Sequence, residues 1–477
     1  MKTHPLHTDV SAPQSVTEFI KLSNGRQATQ IGFTDQRISP HAGLVPFVAF
    51  LHWAKIPALL GRALPHAPTS NNASNPYDTA LAFLVGVLLG AKKLAQVAHL
   101  KGDQALTRLL GAARLPSQPT LTRFFQVFDG AAGNLRALDP LWRWCLERLN
   151  SRPGGYTLDL DSTQLLHEDH HHAQGIRTGH TPRGPRRCWN PLLGFLAEAK
   201  LVCGFWLRPG NTVSFNNVIA FTLSILQRLP RYVRIGLVRA DSGFFFEEWL
   251  QMLEEKGLLY IVVGKLYGPA RALIRRQQTW QKTDVAGTEV CDLVHQEWSW
   301  RQPRRVILLR HCVQEKKRPG GKMLLEVPGY LFQILVTSLP ESVPAIEVWR
   351  RYNGRAGCEN VIKELDAHFG LPQICLKKFW SSEAALSLAV FAYNLSVLFQ
   401  RRLGWMDQVS ASTLRFRLFV TAGIVSRSGG VNTLRLAVPL RHRAWWRRVL
   451  EKIVCPFPNC NSVEPLLRFL AIRTTPA

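Results

Sequence analysis

The stretch YTLDLDST, residues 156–163, decides how the rest of the chain is read. On a strand, side chains alternate between faces, so Leu158 and Leu160 share one face while Asp159 and Asp161 share the other. Such a strand packs on one side and offers carboxylates on its other side. Upstream, SRPGG at 151–155 is a turn-rich boundary. Downstream, GFLAEA (194–199) and LVCGFWLR (201–208) predict a hairpin closed by PGNT at 209–212. A helix over 217–229 and the strand VRIGLV (233–238) follow. After them come a turn at 241–243, a helix over 247–256 and the strand LLYIVVG (258–264).

Three antiparallel strands followed by alternating helices and strands is the order of a ribonuclease H-like α/β core, and that is the expected fold. Between 266 and 343 the runs TEVCDLVHQEWSW, RRVILLRHCV and GYLFQILVTSL, with the basic turn EKKRPGGK at 315–322, predict a β-rich insertion. A long helix is expected from about Pro344 to Phe369 and another over 382–402, with a basic aromatic helix, RHRAWWRRVLEK, at 441–452. The expected domains are a helical DNA-binding domain at 1–150 and the first part of the core at 151–265. The insertion at 266–343, the second part of the core at 344–440 and a basic C-terminal segment at 441–477 complete the chain.

Within the first 150 residues, Leu81, Leu84, Val85, Leu88 and Leu89 form an apolar stripe at helical spacing, with Asp78 or Thr79 as its expected cap. LGAARLPSQPTLTRFFQVF (110–128) predicts two helices about a turn holding Pro116 and Pro119. Ser117 or Thr120 would cap the second, with Leu121, Phe124, Phe125 and Phe128 inward. That spacing suits a helix-turn-helix with Thr120, Thr122 and Arg123 toward DNA, and equally a plain helical hairpin.

Composition narrows the function. The 477 residues carry 59 Lys and Arg against 33 Asp and Glu, a net charge of +26, which points to a polyanionic partner such as nucleic acid. With 46% hydrophobic and 19% charged residues the chain is no disordered tail. The longest apolar run, ALAFLVGVLLGA at 80–91, is too short to span a bilayer, so no membrane partner is expected. Nine scattered cysteines suggest a reducing, cytoplasmic setting rather than a disulfide framework.

Three carboxylates lie where a core could aim them. Asp161 sits on the first strand, Asp241 directly after an apolar strand in RADSGFF, and Glu359 on a helix. On one continuous helix Tyr352, Arg355, Glu359 and Asp366 would fall within an arc of about 60°. Carboxylates suit Mg²⁺, which prefers a few of them plus water and phosphate oxygens.

LDLDST, RPGNT, RADSGF and Tyr352-x2-Arg355-x3-Glu359 together resemble the DDE transposases of bacterial insertion sequences, in the group with a Tyr, Arg, Glu, Lys signature. The resemblance implies a ribonuclease H-like core with a β-rich insertion. It implies Asp161, Asp241 and Glu359 as catalytic and metal ligands for two Mg²⁺ or Mn²⁺ ions, acting as nuclease and strand transferase. It further implies binding to double-stranded DNA at terminal inverted repeats and at a target, a homodimer on the paired ends, and a bacterial, nucleoid-associated location. Tyr352 and Arg355 would touch DNA near the cut, and an aromatic of the insertion, Trp298, would stack on an extruded base. Trp298 and Trp300 share one strand face and read more readily as a core or hairpin pair. The signature's Lys, seven residues after the Glu, is Asp366 here, and Lys363 is the nearest cation.

Two other readings accompany this one. Asp159-x-Asp161-x-Thr163 also resembles the opening motif of haloacid dehalogenase-type phosphatases, and the departure at Asp366 fits a catalytically inactive DNA-binding relative. HEDHHH (167–172) reads as a polar loop. Cys455 and Cys460 lack a second ligand pair for zinc. Trp445 and Trp446 could lie along DNA or cover the core.

Overall fold

The structure is a computed structural model and describes residues 20–23, 28–31, 34–65, 75–167, 172–181, 184–313, 322–324, 327–405, 407–428 and 431–454. The N-terminal part begins with a hairpin of β1 (Ile20–Ser23) and β2 (Ala28–Ile31) and the short β3 (Ile38–Ser39). The helices α1 (Val45–Trp53), α2 (Ile56–Ala63), α3 (Pro76–Leu88) and α4 (Leu94–His99) follow. After them come α5 (Gln104–Leu109), α6 (Gln118–Gln126) and α7 (Ala131–Leu146).

The sheet starts at β4 (Tyr156–Ser162), after which β5 (Leu165–Leu166), β6 (Arg177–Thr181) and β7 (Gly184–Trp189) make a small three-stranded sheet of their own. Next come β8 (Leu192–Leu196), β9 (Leu201–Trp206), α8 (Val218–Arg228), β10 (Ile235–Ala240), α9 (Glu247–Glu255) and β11 (Tyr260–Val263). They are followed by α10 (Gly268–Arg276), β12 (Gln281–Lys282), β13 (Thr288–His295), β14 (Arg304–Cys312), β15 (Lys322–Leu324) and β16 (Val327–Thr337). The last third holds α11 (Ala345–Asn353), α12 (Ala356–His368), α13 (Phe379–Arg402), α14 (Ala411–Leu414), β17 (Gly423–Ser428), β18 (Val431–Leu436) and α15 (Leu440–Val454).

Ten strands form one sheet, ordered β12-β13-β14-β16-β11-β10-β4-β8-β9 with β15 on β16. The chain is thus mixed α/β. β4, β10 and β11 run parallel, and β8, β9 and β16 are antiparallel to their neighbours. The two faces follow from alternation. Leu158, Leu160, Val238 and Ala240 are buried in the main core, where α8 packs Ile225 against Gly194 and Gly204. Asp159, Arg239 and Ile261 are in register on the opposite face, and α11 covers that face with Ala345 and Val348.

An open sheet edge exposes unpaired backbone groups and needs cover. Along β9 that cover is α13. The Asn394 amide accepts from Val202 N–H at 3.0 Å and donates to Val202 C=O at 2.8 Å, and Glu383 accepts from Leu207 N–H at 3.2 Å. α13 has the length and apolarity of a membrane span, yet its apolar window is wholly buried inside the protein. It also packs against α3 and α7, so the N-terminal helices and the sheet share one core.

Several expectations need correction. The stripe on α3 is buried, but its cap is Asn75, whose side chain accepts from Tyr77 N–H; Pro76 takes the first helical position. The helix expected from Pro344 to Phe369 is broken between α11 and α12. A Cβ on Gly354 at the break would stand 2.6 Å from Arg239 Nη1, so a larger residue there would have to displace that guanidinium. Residues 266–343 do not interrupt the sheet but extend it through β16, and the expected strand ends at His295, which leaves Trp298 on a turn. β3 joins β17 and β18 in a sheet that the helical reading of 1–150 did not include. Trp446 is buried on the core side of α15, which packs on α1. Residues 168–171, most of the 315–322 turn, and Cys455 and Cys460 lie outside the described residues.

Candidate active site

Leu160 and Ala240 are paired in the β4–β10 ladder, so Asp161 and Asp241 stand side by side at the carboxyl ends of two parallel strands. Strand ends of this kind are where α/β sheets place ligands. Asp161 is 8% exposed, and its Oδ1 accepts from Ser162 N–H at 2.8 Å. Asp241 caps a short 3-10 turn over 242–244, its Oδ1 accepting from Gly243 N–H at 2.8 Å.

Arg355 enters from the α11–α12 break and caps α12. Its Nη2 lies 2.9 Å from Asp161 Oδ2 and donates to Leu160 C=O at 3.3 Å. Its Nη1 lies 4.0 Å from Glu359 Oε1, one turn into α12. Glu359 is exposed, whereas Arg355 is 7% exposed with a buried, unpartnered Nε. Cys358 is buried below, its Sγ 3.7 Å from Asp161 Oδ2.

The electrostatics follow from this crowding. Burial pushes the Asp161 carboxyl up to about 6; Arg355 pulls it down, and Asp241 and Glu359 push it further up. Burial works against the charge on Arg355, but Asp161, Tyr352, Cys358 and Asp241 together more than offset it, so the guanidinium is held more firmly protonated than usual. Burial likewise raises the Tyr352 hydroxyl to about 12, with Arg355 opposing. Asp161, Asp241 and Glu359 all push Tyr352 upward, and Asp161 and Asp241 do the same to Arg355, which marks one electrostatic cluster around Asp161.

The structure therefore brings together Asp161, Asp241, Glu359, Tyr352 and Arg355 from β4, the β10–α9 turn and the α11–α12 break. Lys363 is exposed one turn beyond Glu359. Asp366 is half-buried with an unpartnered Oδ1, and burial raises it to about 6. Trp298 and Arg123 belong to other elements. Trp298 is 91% exposed on the β13–β14 turn. That turn is anchored by buried Trp300, whose ring meets Phe245 edge-on at 6.0 Å, four residues after Asp241. Arg123 is exposed on α6, where Ser117 is the cap and Leu121, Phe124 and Phe125 point inward. Thr122 and Gln118 of α6 line a groove of about 470 Å³ with Lys93, Lys377 and Lys378.

Sequence reading missed the parts that hold this site. Asp159 is 1% exposed and joined to Arg239 by two hydrogen bonds of 2.6 and 2.8 Å, and Arg239 also donates to Arg351 C=O of α11. Arg208, 4% exposed, donates to the carbonyls of Asn190, Val213, Ser214 and Asn216. The loop it gathers presses Ser214 against both aspartate segments. Ser214 Oγ is 2.9 Å from Ser162 Oγ, and a Cβ on Gly243 would meet it at 2.8 Å. RPGNT was visible as a motif, but its arginine's four backbone partners were not.

Two features speak to a divalent ion. The donors are hard carboxylate oxygens, which suit Mg²⁺ or Mn²⁺. A cation already stands between two of them, the guanidinium of Arg355. The set fits such an ion chemically, although among the described residues no three His, Cys, Asp or Glu side chains converge closely enough to hold one.

A family profile described as transposase DDE domain, group 1, matches residues 23–455. No curated protein matches the chain. A cryo-EM structure of the piggyBac transposase synaptic complex with hairpin DNA is similar to it with a TM-score of 0.43 and 12% identity, over 81% of this chain and 82% of that one.

Proposed function

The chain belongs to the transposase DDE domain family, group 1, and on that premise we propose that Asp161, Asp241 and Glu359 are its catalytic, metal-binding carboxylates. The observation that carries this reading is the pairing of Asp161 and Asp241 at adjacent parallel strand ends, with Glu359 reaching the same cluster through Arg355. DDE transposases use divalent metal ions; here Mg²⁺ or Mn²⁺, two ions in all, would be held by these three groups. Bound there, the ions supply Lewis acidity for in-line displacement at phosphorus.

The chain's own residues do the rest. Ser162 N–H and Gly243 N–H fix Oδ1 of Asp161 and of Asp241, which orients both carboxylates, and Arg355 holds the Oδ2 of Asp161. Arg355 and Tyr352 flank the carboxylates and would meet DNA near the cut, with Lys363 further along α12. The sheet order β9-β8-β4-β10-β11 supports a ribonuclease H-like core, which β12 to β16 extend. DNA would run over the groove beside α6, where Lys93, Lys377 and Lys378 gather and Arg123 lies close by on the helix, while the exposed ring of Trp298 would stack on a base. The substrate DNA would be the terminal inverted repeats of a bacterial insertion sequence, engaged by a homodimer at the nucleoid.

The phosphatase reading fails on two counts. Its nucleophile would be Asp159, which is buried in the pair with Arg239, and β4 is followed by antiparallel β8 and β9 rather than a parallel doubly wound sheet.

The test uses purified protein and duplexes taken from the DNA flanking its coding sequence. The parent should cleave one of them in the presence of Mg²⁺. Asp161→Asn, Asp241→Asn and Glu359→Gln should each abolish cleavage while binding persists. Cleavage that survives a substitution removes that residue from the set.

A further inference from the structure

Arg355 holds an oxygen of Asp161 that a metal ion bound to this carboxylate would need. Its guanidinium is buried, lies 2.9 Å from Asp161 Oδ2 and faces Glu359 at 4.0 Å. The Asp161 oxygen it holds is the one not already fixed by Ser162 N–H. An arginine cannot relieve this competition by losing its proton. Two cations cannot share one buried carboxylate oxygen without strong repulsion.

The guanidinium is also poorly satisfied where it sits. Its Nε is buried without a partner, and Glu359 lies beyond hydrogen-bond distance from Nη1. Its backbone is the junction of α11 and α12, so the guanidinium is carried by a break between helices rather than by a helix interior. A phosphate offers two oxygens for a bidentate match to the planar guanidinium, which this arrangement lacks.

We infer that Arg355 is a resident counterion that keeps divalent metal off Asp161 until a DNA phosphate draws the guanidinium away. The resting protein is then metal-poor, and the carboxylates take up their ions only with DNA in place. Metal binding and DNA binding help one another, and by linkage the help is equal in both directions. The inference rests on the proposed role of Asp161.

The experiment is a Mn²⁺ titration of the full-length protein without DNA, followed by electron paramagnetic resonance of the free ion. Arg355→Met should bind Mn²⁺ about tenfold more tightly than the parent or better, a typical size for such coupling. Arg355→Gln serves as a second neutral variant should the methionine protein fold poorly, and Arg355→Lys, which keeps a cation, should stay near the parent. Adding Asp161→Asn to Arg355→Met should remove the gain. A folded Arg355→Met or Arg355→Gln protein with parental Mn²⁺ affinity overturns the counterion role and leaves the functional reading standing. Cleavage that persists in Asp161→Asn overturns the functional reading itself.

Discussion

Asp159 of β4 and Arg239 of β10 face one another in register and share two hydrogen bonds, Nε to Oδ1 at 2.6 Å and Nη2 to Oδ2 at 2.8 Å. Two residues along the same strand, Asp161 carries a carboxylate of the same chemistry with a different task. Removing one partner of a buried pair leaves an uncompensated charge, at a cost of about 3–5 kcal/mol. Asp159→Ala should therefore unfold at markedly lower denaturant concentration than the parent. Asp161→Asn also strips buried Arg355 of a carboxylate, but it keeps the side chain's shape and relieves crowding with Asp241 and Glu359, so it should lose less stability than Asp159→Ala while losing cleavage. Equal stability of the two variants in a chemical denaturation series would contradict this division of labour.

Ser214 and Gly243 set a second expectation. A Cβ on Gly243 would lie 2.8 Å from Ser214 Oγ and 3.0 Å from Asp241 Oδ1, so Gly243→Ala must displace one of them. Misplacing a catalytic group by about 1 Å costs on the order of 100-fold in rate. Gly243→Ala should lower the cleavage rate by about 10–100-fold with DNA affinity unchanged. Adding Ser214→Gly should restore part of the rate, which single-turnover kinetics would measure.

Glu383 gives a pH signature. It is 7% exposed, and burial pushes its carboxyl from 4.5 up to about 7, with Asn134 and Leu207 N–H opposing. Its folded value is raised, so the stability it contributes is fully present below its unfolded value and is lost as pH rises through about 7. Glu383→Gln mimics the protonated form. It should match the parent near pH 4.5 and exceed it at pH 8.5 by on the order of 3 kcal/mol. Denaturant titrations at the two pH values check the sign.

The proposed DNA surface is tested by salt. Lys93, Lys377 and Lys378 border the groove beside α6, and Arg123 is exposed on the helix itself. Each phosphate contact removed should flatten the plot of log affinity against log salt by about one unit of slope. Single alanine variants at the three lysines should each show this change. Trp298→Ala, which removes a ring that is 91% exposed, should weaken binding to the cleaved end without altering the salt slope or the melting temperature.

The core strands were legible because their apolar residues alternate and their turns carry Gly, Pro and Asn. LDLDST and RADSG even gave the strand ends, since an acid directly after an apolar run marks where the strand leaves the sheet. Other features had no local signal. Nothing in the sequence distinguishes Asp159 from Asp161, because the difference lies in Arg239, eighty residues away in the chain and opposite in the ladder. The close approach of Gly354 to Arg239 involves a side chain on another element. Asn394 and Glu383 interrupt an apolar helix, and only the position of β9 explains them as edge cover. Trp298 fell on a turn because alternation continued in the letters past the last ladder pair, His295 with Arg304.

The burial of α13 bears on how the chain is made. Its partners α3 and α7 lie near the amino end, and α7 is complete at Leu146, whereas α13 ends only at Arg402. At a synthesis rate of about 5–20 residues per second, the early helices wait on the order of 10–50 s for the helix they close upon. Throughout that interval their apolar faces stand open to chaperones and to neighbouring nascent chains. A message cut short before α13 would release helices that pack on one another but lack the helix that closes their core, so premature termination should yield a degraded product rather than a free DNA-binding fragment.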